Sequence, residues 1–346
     1  MPPIPPSPTP RIVIYYQTQH HPDGSSCSIL PIITEPNIAV THVNLAAIHL
    51  NDPPGHITLN NHVPHDHRYV TLWAELRVLQ ASGIKVLGML GGAGKGSFTR
   101  LDLDEQTFEA YYGPLRDFVR ERGLDGLDLD VEEPMTLAGI IRLIDRLKSD
   151  FGDSFIITLA PVAAALMSDD PKHNLSGFSY EALEVMRGTQ IAWYNTQFYC
   201  GWGDLSKTAG YDFMVARGYP QHKIVIGMVT NPSNGSGWVP FETFQEVLIT
   251  LKSRYPGFGG VMGWEYFNSL PGDRDRPWEW ATFMTKHLRA ATPGSTVPGT
   301  SVQMGSATGA QNKQNPFLLV DRDLKTKEEA PLPKIFDYYS DGSIEE

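Results

Sequence analysis

Three carboxyl side chains recur at every second position in the segment Asp125-Gly-Leu-Asp-Leu-Asp-Val-Glu132. Because alternate side chains of a β-strand point to opposite faces, Asp128, Asp130 and Glu132 share one face. If that face is the inside of a barrel, the three groups repel one another and lose water, so some of them stay protonated near neutral pH. A protonated carboxyl group beside an ionised one is suited to acid catalysis. The segment therefore predicts acid–base chemistry.

Two other interpretations of this segment remain open on these residues alone. An amphipathic strand would carry a solvated acidic face, but a strand of a closed barrel has no solvated face. The aspartate repeat also resembles a calcium-binding loop, although it lacks the glycine that such a loop has at its sixth position. The alternating Leu127, Leu129 and Val131 favour a strand. We expect neither a metal ion nor a diffusible cofactor.

A second polar run, from Trp193 to Tyr199, has the same two-residue period. Asn195, Gln197 and Tyr199 point to one side of the predicted strand and alternate with three other residues. Three hydrogen-bonding groups therefore face the same cavity as the carboxyl groups. Trp193 has the same parity but comes early in the strand, which predicts a packing role near the barrel bottom.

The elements that position these residues alternate between strands and helices over residues 11–290. The predicted strands are Arg11 to Gln17, Val40 to Asn51, Lys85 to Gly91, Gly126 to Glu132, Phe155 to Ala160, Ile191 to Tyr199, Lys223 to Met228 and Gly259 to Tyr266. Apolar residues recur with helical period between them. Examples are Phe108, Tyr111, Tyr112, Leu115, Phe118 and Val119, then Leu137, Ile140, Ile141, Ile144 and Leu147, and finally Trp280, Phe283, Met284, His287 and Leu288. Eight such units predict an α/β fold of the (β/α)8 TIM barrel type, with a doubly wound open sheet as the competing fold.

The two ends of the chain differ in composition from this barrel. Residues 1–10 are a proline-rich lead-in, for which we expect an extended conformation. Residues 291–346 are rich in polar and charged residues with few apolar ones, and we expect a disordered tail. The chain thus predicts one catalytic barrel at residues 11–290 with two appendages.

The charge and cysteine content limit the partners and the compartment. The 346 residues carry 28 Lys and Arg against 39 Asp and Glu, a net charge of −11, which argues against nucleic acid or an anionic membrane as the partner. No secretory signal and no membrane span are evident, so we expect a cytoplasmic monomer, with secretion as the alternative because of sequons at Asn174 and Asn234. Cys27 and Cys200 are expected to be free thiols.

The segment at 125–132 fits D-G-x-D-x-D-x-E, and on it the chain resembles glycoside hydrolase family 18, within which it is most similar to fungal endo-T-type endo-β-N-acetylglucosaminidases. Further segments that carry this resemblance are Tyr15-Tyr-Gln-Thr18, Asn174-Leu-Ser-Gly-Phe-Ser179, Trp193-Tyr-Asn-Thr-Gln-Phe-Tyr199 and Gly260-Val-Met-Gly-Trp-Glu-Tyr-Phe-Asn268. One position departs from the family pattern. The family's S-x-G-G on the third strand is here Met89-Leu-Gly-Gly92, without the serine.

The resemblance implies substrate-assisted, retaining hydrolysis, in which the sugar's own 2-acetamido group attacks the anomeric carbon. It implies that Glu132 is the general acid and base, that Asp130 orients the acetamido N–H, and that Asp128 shares a proton with Asp130. It further implies that Tyr199 contacts the acetamido carbonyl. Substrate contacts are expected from four more residues, namely Trp264 as an apolar floor, Gln197, Asn195 and Tyr15.

The sequence motifs constrain the identity of the substrate less than they constrain the type of reaction. The resemblance implies cleavage of the β-1,4 bond in the N,N'-diacetylchitobiose core of N-linked glycans or glycoproteins, of high-mannose type. A chitinase acting on chitin oligomers is the alternative enzyme. A carbohydrate-binding barrel without turnover is the alternative outside enzymes.

Two other motifs do not support a function of their own. The glycine-rich stretch Gly91 to Ser97 lacks the first glycine and the Ser or Thr directly after Lys95 that a phosphate-binding loop needs. His62, His65, Asp66 and His67 lack the spacing of a metal site. We interpret both stretches as barrel loops.

Overall fold

The structure, a computed structural model, describes residues 10–290. The expectations for the lead-in and for residues 291–346 lie outside the described residues, apart from Pro10. The strands are β1 (Arg11–Tyr16), β2 (His42–Asn51), β3 (His56–Leu59), β4 (Lys85–Gly91), β5 (Gly126–Asp130), β6 (Ile156–Leu159), β7 (Trp193–Gln197), β8 (Ile224–Val229) and β9 (Gly260–Trp264). The α-helices are α1 (Pro31–Thr34), α2 (Val70–Ala81), α3 (Ser97–Leu101), α4 (Glu105–Arg122), α5 (Leu137–Phe151), α6 (Ala163–Met167), α7 (Tyr180–Arg187), α8 (Ala209–Ala216), α9 (Phe241–Arg254) and α10 (Glu279–Arg289).

Eight parallel strands close into a barrel. Each of β1, β2 and β4 to β9 pairs with its neighbours, and β1 pairs with both β2 and β9, which closes the ring. Val13 is in register with His42 on one side and with Met262 on the other. The predicted TIM barrel is confirmed, and the open sheet is excluded because the ring has no free edge.

One strand was missed in the sequence. Strand β3 returns antiparallel to β2, with Ile48 opposite Leu59, and the two form a hairpin outside the ring. The turn between them contains Asp52-Pro-Pro-Gly55, and Gly55 has a φ of 94° that favours glycine. This turn signal was present in the sequence, but the following strand is only four residues long.

The alternation of side chains divides the core into two layers. Leu127 and Leu129 on β5, and Val131 directly after it, belong to the outer layer between the sheet and its helices. Asp128 and Asp130 point into the barrel, where a smaller apolar cluster includes Tyr15, Met89, Trp193 and Tyr199. The predicted parity of this strand is therefore confirmed.

The covering helices bury the faces that their sequence period predicts. All six predicted residues of α4 are buried, and the helix begins at an Asp104 cap that accepts the Thr107 N–H at 3.1 Å. The face predicted for α5 is buried at Ile140, Ile144 and Leu147. None of the helices within residues 10–290 is long and apolar enough to cross a membrane.

Candidate active site

The carboxyl groups lie at the carboxyl end of β5, where the active sites of TIM barrels open. The strand ends at Asp130, whereas the sequence predicted that it extends to Glu132. Asp128 is fully buried and Asp130 is 5% exposed, while Glu132 is half-buried beyond the last strand pair. The shorter strand leaves Glu132 at the mouth of the barrel, above the other two groups.

Asp128 is the deepest of the three carboxyl groups and is held by three donors. The hydroxyls of Tyr15 and Thr158 and the amide of Asn195 donate to its oxygens, the last at 2.9 Å. Burial raises the pKa of Asp128, and these hydrogen bonds act in the opposite direction. Asp128 is thus fixed in place below Asp130.

The side-chain amide of Gln197 bridges the two upper carboxyl groups. Its Nε2 lies 3.1 Å from Oδ1 of Asp130 and 3.2 Å from Oε1 of Glu132. The same nitrogen donates to the backbone carbonyl of Ala160 at 2.8 Å. Two N–H hydrogens are therefore shared among three acceptors, and the amide fixes the relative position of Asp130 and Glu132.

The pKa values of both upper carboxyl groups are raised. Burial raises the pKa of Asp130 well above its usual value, and the negative charges of Glu132 and Asp128 add to this. Burial also raises the pKa of Glu132, whereas Gln197 and the Lys95 ammonium lower it. A pair of close acids with raised pKa values retains a proton at a pH where isolated carboxyl groups are ionised, which is what a general acid requires.

Aromatic side chains line the barrel around these groups. The ring of Trp264 meets that of Tyr15 edge to face at 5.5 Å, and Trp264 is half-buried at the end of β9. Tyr199 is 9% exposed and lies two residues past the end of β7. Trp238 packs on the same cluster. The half-buried rings of Trp264 and Trp238 are the more accessible members of this cluster, and aromatic rings of this kind can pack against the face of a sugar.

Two of the residues expected to contact substrate, Asn195 and Tyr15, are bonded to Asp128. Asn195 is fully buried, where it accepts from Trp193 Nε1 at 2.8 Å and donates to Asp128. Tyr15 is 1% exposed and its hydroxyl also donates to Asp128. Both therefore support that carboxyl group, and their contact with substrate stays a prediction. Trp193 lies beneath, with the Arg11 guanidinium 4.5 Å from its ring centre, in agreement with its predicted packing role.

Several residues that shape the site were not predicted from the sequence. Thr158 on β6 donates to Asp128. Glu265 directly follows β9 and accepts from the backbone N–H groups of Gln17 and Thr18 at 3.1 and 2.7 Å, which ties the loop after β1 to the strand that bears Trp264. A charged residue directly after a buried strand was the available signal for Glu265. Thr158 gave none, because threonine is common in strands.

The remaining predicted positions outside the cleft agree with the structure. Asp125 accepts from Lys85 Nζ and the Val86 N–H, both at 2.9 Å, which is the structural role expected for it. Cys27 is buried, Cys200 is exposed, and both are free thiols.

The family assignment follows from the match of the chain to a known family. The family described as Glycosyl hydrolases family 18 matches residues 11–235, which include all three carboxyl groups and Gln197. This chain belongs to glycosyl hydrolases family 18. The family resemblance inferred from the octapeptide at 125–132 is confirmed.

Solved structures within family 18 are similar to the chain along most of its length. A fungal endo-β-N-acetylglucosaminidase is 48% identical with a TM-score of 0.78, and the match covers 83% of this chain and 100% of that one. A chitinase from Aspergillus fumigatus is 54% identical with a TM-score of 0.73, covering 80% of this chain and 98% of that one.

Curated relatives of this family 18 chain are more distant and longer. Chitinase 2 of Rhizopus oligosporus is 28% identical over 207 residues, which are 56% of this chain and 36% of that protein. Chitinase 1 of Rhizopus niveus is 24% identical over 285 residues, 77% of this chain and 51% of that protein. The chain thus spans between a third and about half of the length of these two chitinases.

The departure from the family 18 pattern at Met89 has a clear packing consequence. Met89 is 1% exposed and is paired in register with Asp128 on the neighbouring strand. A Cβ atom at Gly92 would lie 2.7 Å from the Met89 methyl carbon, and Gly92 has a φ of 85°. The thioether therefore fills space beneath Gly92 that a serine would leave open, and it provides no strong hydrogen bond to Asp128.

Proposed function

We propose that the protein is an endo-β-N-acetylglucosaminidase that hydrolyses the β-1,4 bond of the N,N'-diacetylchitobiose core of N-linked glycans. The observation that supports this reaction is the pair of hydrogen bonds from Gln197 to Asp130 and Glu132. The pKa values of both carboxyl groups are raised. Of the three carboxyl groups, Glu132 has the highest exposure, so it is the one placed to reach a glycosidic oxygen in the cleft.

In this mechanism the first step breaks the glycosidic bond. Glu132 gives its proton to the leaving oxygen as the carbonyl oxygen of the sugar's 2-acetamido group forms a bond to C1. Asp130 accepts a hydrogen bond from the acetamido N–H and stabilises the positive charge of the resulting oxazolinium ion. Gln197 donates to both carboxyl groups and so couples their positions.

The second step restores the sugar and the acid. The carboxylate of Glu132 takes a proton from a water molecule, whose oxygen forms a bond to C1 while the bond from C1 to the acetamido oxygen breaks. Two inversions at C1 give net retention of the β-configuration. Tyr199, next to the carboxyl groups, donates to the acetamido carbonyl, and Trp264 packs against the sugar face.

The proposed glycan substrate is supported by the similarity to the fungal endo-β-N-acetylglucosaminidase, which this chain matches over the whole of that protein's length. Chitin cleavage is the second candidate, favoured by the 54% identity to the Aspergillus fumigatus chitinase. Both substrates place an N-acetylglucosamine over the same carboxyl groups. They differ in what the surrounding loops receive, a branched mannose structure or a linear polymer.

Incubation with ribonuclease B and, separately, with chitin oligomers tests the substrate. Release of mannose-rich glycan from ribonuclease B without chitin cleavage is the expected result. Cleavage of chitin oligomers with intact ribonuclease B would refute the proposed substrate and favour the chitinase.

Turnover itself is tested with Glu132→Gln, which keeps the size of the side chain but removes the acid. We expect release of sugar by the wild type and a loss of at least about 100-fold in the variant, since general acid catalysis contributes about 10² to 10⁴. If the wild type binds the oligosaccharide, releases no sugar and keeps its affinity after the substitution, the protein is a carbohydrate-binding barrel.

A further inference from the structure

The glycine-rich loop between β4 and α3, residues 92–96, is bonded at both ends to residues that flank Glu132. At its start the Gly92 N–H donates to the backbone carbonyl of Asp130 at 2.9 Å. At its end the N–H groups of Gly96 and Phe98 each donate to the carboxylate of Glu133 at 2.8 Å. The loop therefore arches from one side of the catalytic acid to the other.

Glu133 is buried, and its hydrogen-bond partners within residues 10–290 lie in the loop and at the start of α3. It is 4% exposed, and the hydroxyl of Thr99 donates to it at 2.6 Å in addition to the two backbone groups. Hydrogen bonds to an ionised carboxylate are about twice as strong as those between neutral groups. With one donor from Gly96 at the end of the loop and two from Phe98 and Thr99 in the first turn of α3, Glu133 fixes the junction of loop and helix and, through the peptide bond, the backbone of Glu132.

The loop is also packed tightly from below. A Cβ atom at Gly94 would lie 2.8 Å from Cε1 of the half-buried His49 ring on β2, so a side chain at this position would require that ring to move. Gly96 has a φ of 111°, which again favours glycine. The glycines that resemble a phosphate-binding loop in the sequence thus serve close packing against β2 and β5.

Lys95, between these two glycines, is exposed, and its ammonium lowers the pKa of Glu132. The other titratable groups whose charges interact with Glu132 are Asp130 on its own segment, Tyr199 and Cys200 after β7, and Tyr180 on α7. The pKa values of the two tyrosines and of Cys200 are raised, so these groups are neutral when the carboxyl groups titrate. Asp130 is the acid whose negative form disfavours ionisation of Glu132, and Lys95 opposes it with a positive charge.

We propose that Glu133 is a positioning residue that clamps the end of the loop at residues 92–96, and with it Lys95, against the segment that carries the catalytic acid. The clamp sets both the orientation of Glu132 and the pH at which it gives up its proton. This inference rests on the proposed role of Glu132 as the acid.

The test compares Glu133→Gln, Lys95→Met, Lys95→Arg and the double variant Glu133→Gln/Lys95→Met. The readout is the pH dependence of kcat/KM on whichever substrate the wild type cleaves. Lys95→Met removes the positive charge, so the alkaline limb moves to higher pH, and Lys95→Arg leaves it in place. Glu133→Gln places an amide N–H donor opposite the backbone N–H donors and so releases the loop. We expect the alkaline limb to move to higher pH and kcat/KM to fall about tenfold.

The sign of the shift separates the clamp from a direct charge effect. Loss of a negative charge at Glu133 would by itself favour ionisation of Glu132 and move the alkaline limb to lower pH. The clamp predicts the opposite direction, and it predicts that the double variant shifts no further than Lys95→Met alone, because the released loop no longer positions the charge. A lower or unchanged limb in Glu133→Gln, or fully additive shifts, would overturn the proposal.

Glu75→Gln is the matched control for a structural role. Glu75 is also a buried carboxylate that anchors a loop, accepting from Ser28 Oγ at 2.8 Å and the Ile29 N–H at 2.9 Å, and it has no contact with the loop at 92–96. We expect it to lower the melting temperature without moving the pH profile. An equal shift in this control would also contradict the clamp.

A second readout does not depend on turnover. The pKa of Glu132 can be measured by NMR on protein with ¹³C-labelled glutamate carboxyl groups, with the signal assigned by its loss in Glu132→Gln. If the wild type cleaves neither substrate, the proposed function fails, and a pKa of Glu132 that rises in both Glu133→Gln and Lys95→Met still supports the clamp. If the wild type is active but this pKa does not move, the clamp alone is refuted.

Discussion

The side-chain nitrogen of Gln197 lies 3.2 Å from Oε1 of Glu132. The same nitrogen contacts Asp130, so one neutral donor connects the two groups that the proposed mechanism uses in different protonation states. A charged donor in this place would favour ionisation of both acids, whereas an apolar residue would leave their repulsion uncompensated. The neutral amide of Gln197 gives each carboxyl group a hydrogen bond and still permits one proton to stay with the pair.

Gln197→Met removes this donor while keeping the volume of the side chain. We expect kcat/KM to fall roughly 100-fold, similar to the loss of one donor to a developing charge. Because the Gln197 hydrogen bond lowers the pKa of Glu132, its loss moves the alkaline limb of the pH profile to higher pH. Steady-state kinetics between pH 4 and 9 measure both effects.

Gln80→Met is the control for this substitution. Gln80 also donates to a carboxyl group, that of Asp125 at 2.8 Å, on a side chain outside the cleft. Its kcat/KM and pH profile should match those of the wild type. If Gln197→Met also left the pH profile unchanged, the bridge would have no electrostatic role.

Asp130→Asn should become more stable relative to the wild type as the pH rises. Burial raises the pKa of Asp130 in the folded state, so the folded protein binds a proton that the unfolded chain has released. The wild type therefore loses stability between the unfolded pKa, about 3.9, and the folded pKa, at about 1.4 kcal/mol for each unit between them. The Asp130→Asn variant has no such loss of stability, because asparagine does not titrate. Urea unfolding at pH 4 and pH 8 measures the difference.

Asp145→Asn provides a control of opposite sign. The Arg187 guanidinium, 2.7 Å away, lowers the pKa of Asp145, so this carboxylate contributes stability above its unfolded pKa that is lost as the pH falls. Asp145→Asn should lower the free energy of unfolding more at pH 8 than at pH 3. Equal behaviour of Asp130→Asn at pH 4 and pH 8 would show that Asp130 is not the buried, proton-retaining group described above.

The sequence predicted the fold and the carboxyl groups because both depend on local alternation. A two-residue period on β5 placed Asp128 and Asp130 inside the barrel without knowledge of any contact. Depth along the barrel axis was not predictable in the same way. Asn195 has the same parity as Gln197, but whether a side chain meets the cleft or a deeper carboxyl group depends on the stagger of neighbouring strands.

Long-range loop contacts were also beyond the sequence. Glu133 directly follows the predicted acid, yet its partners are 34 to 37 residues earlier in the chain. Glu265 binds residues more than 240 positions away. No periodicity encodes such pairs, since closure of the ring brings them together. The cytoplasmic location and the monomeric state stay predictions.

Trp264→Ala should weaken substrate binding more than it reduces the chemical step. The ring lies beside Tyr15 at the end of β9, so we expect KM to rise about tenfold with a smaller change in kcat, and Trp264→Phe to retain part of the affinity. Trp278→Ala, which removes a half-buried ring on the outer core, serves as the control for lost packing. An unchanged KM in Trp264→Ala would remove this residue from the sugar site.

Inhibition by an N-acetylglucosamine thiazoline, a stable mimic of the oxazolinium ion, tests the central claim most directly. The account predicts that the wild type is inhibited and that Asp130→Asn binds the thiazoline at least about 100-fold more weakly, because the carboxylate stabilises the mimicked charge. An active wild type that the thiazoline does not inhibit, or equal inhibition constants for both proteins, would contradict attack by the substrate's own amide.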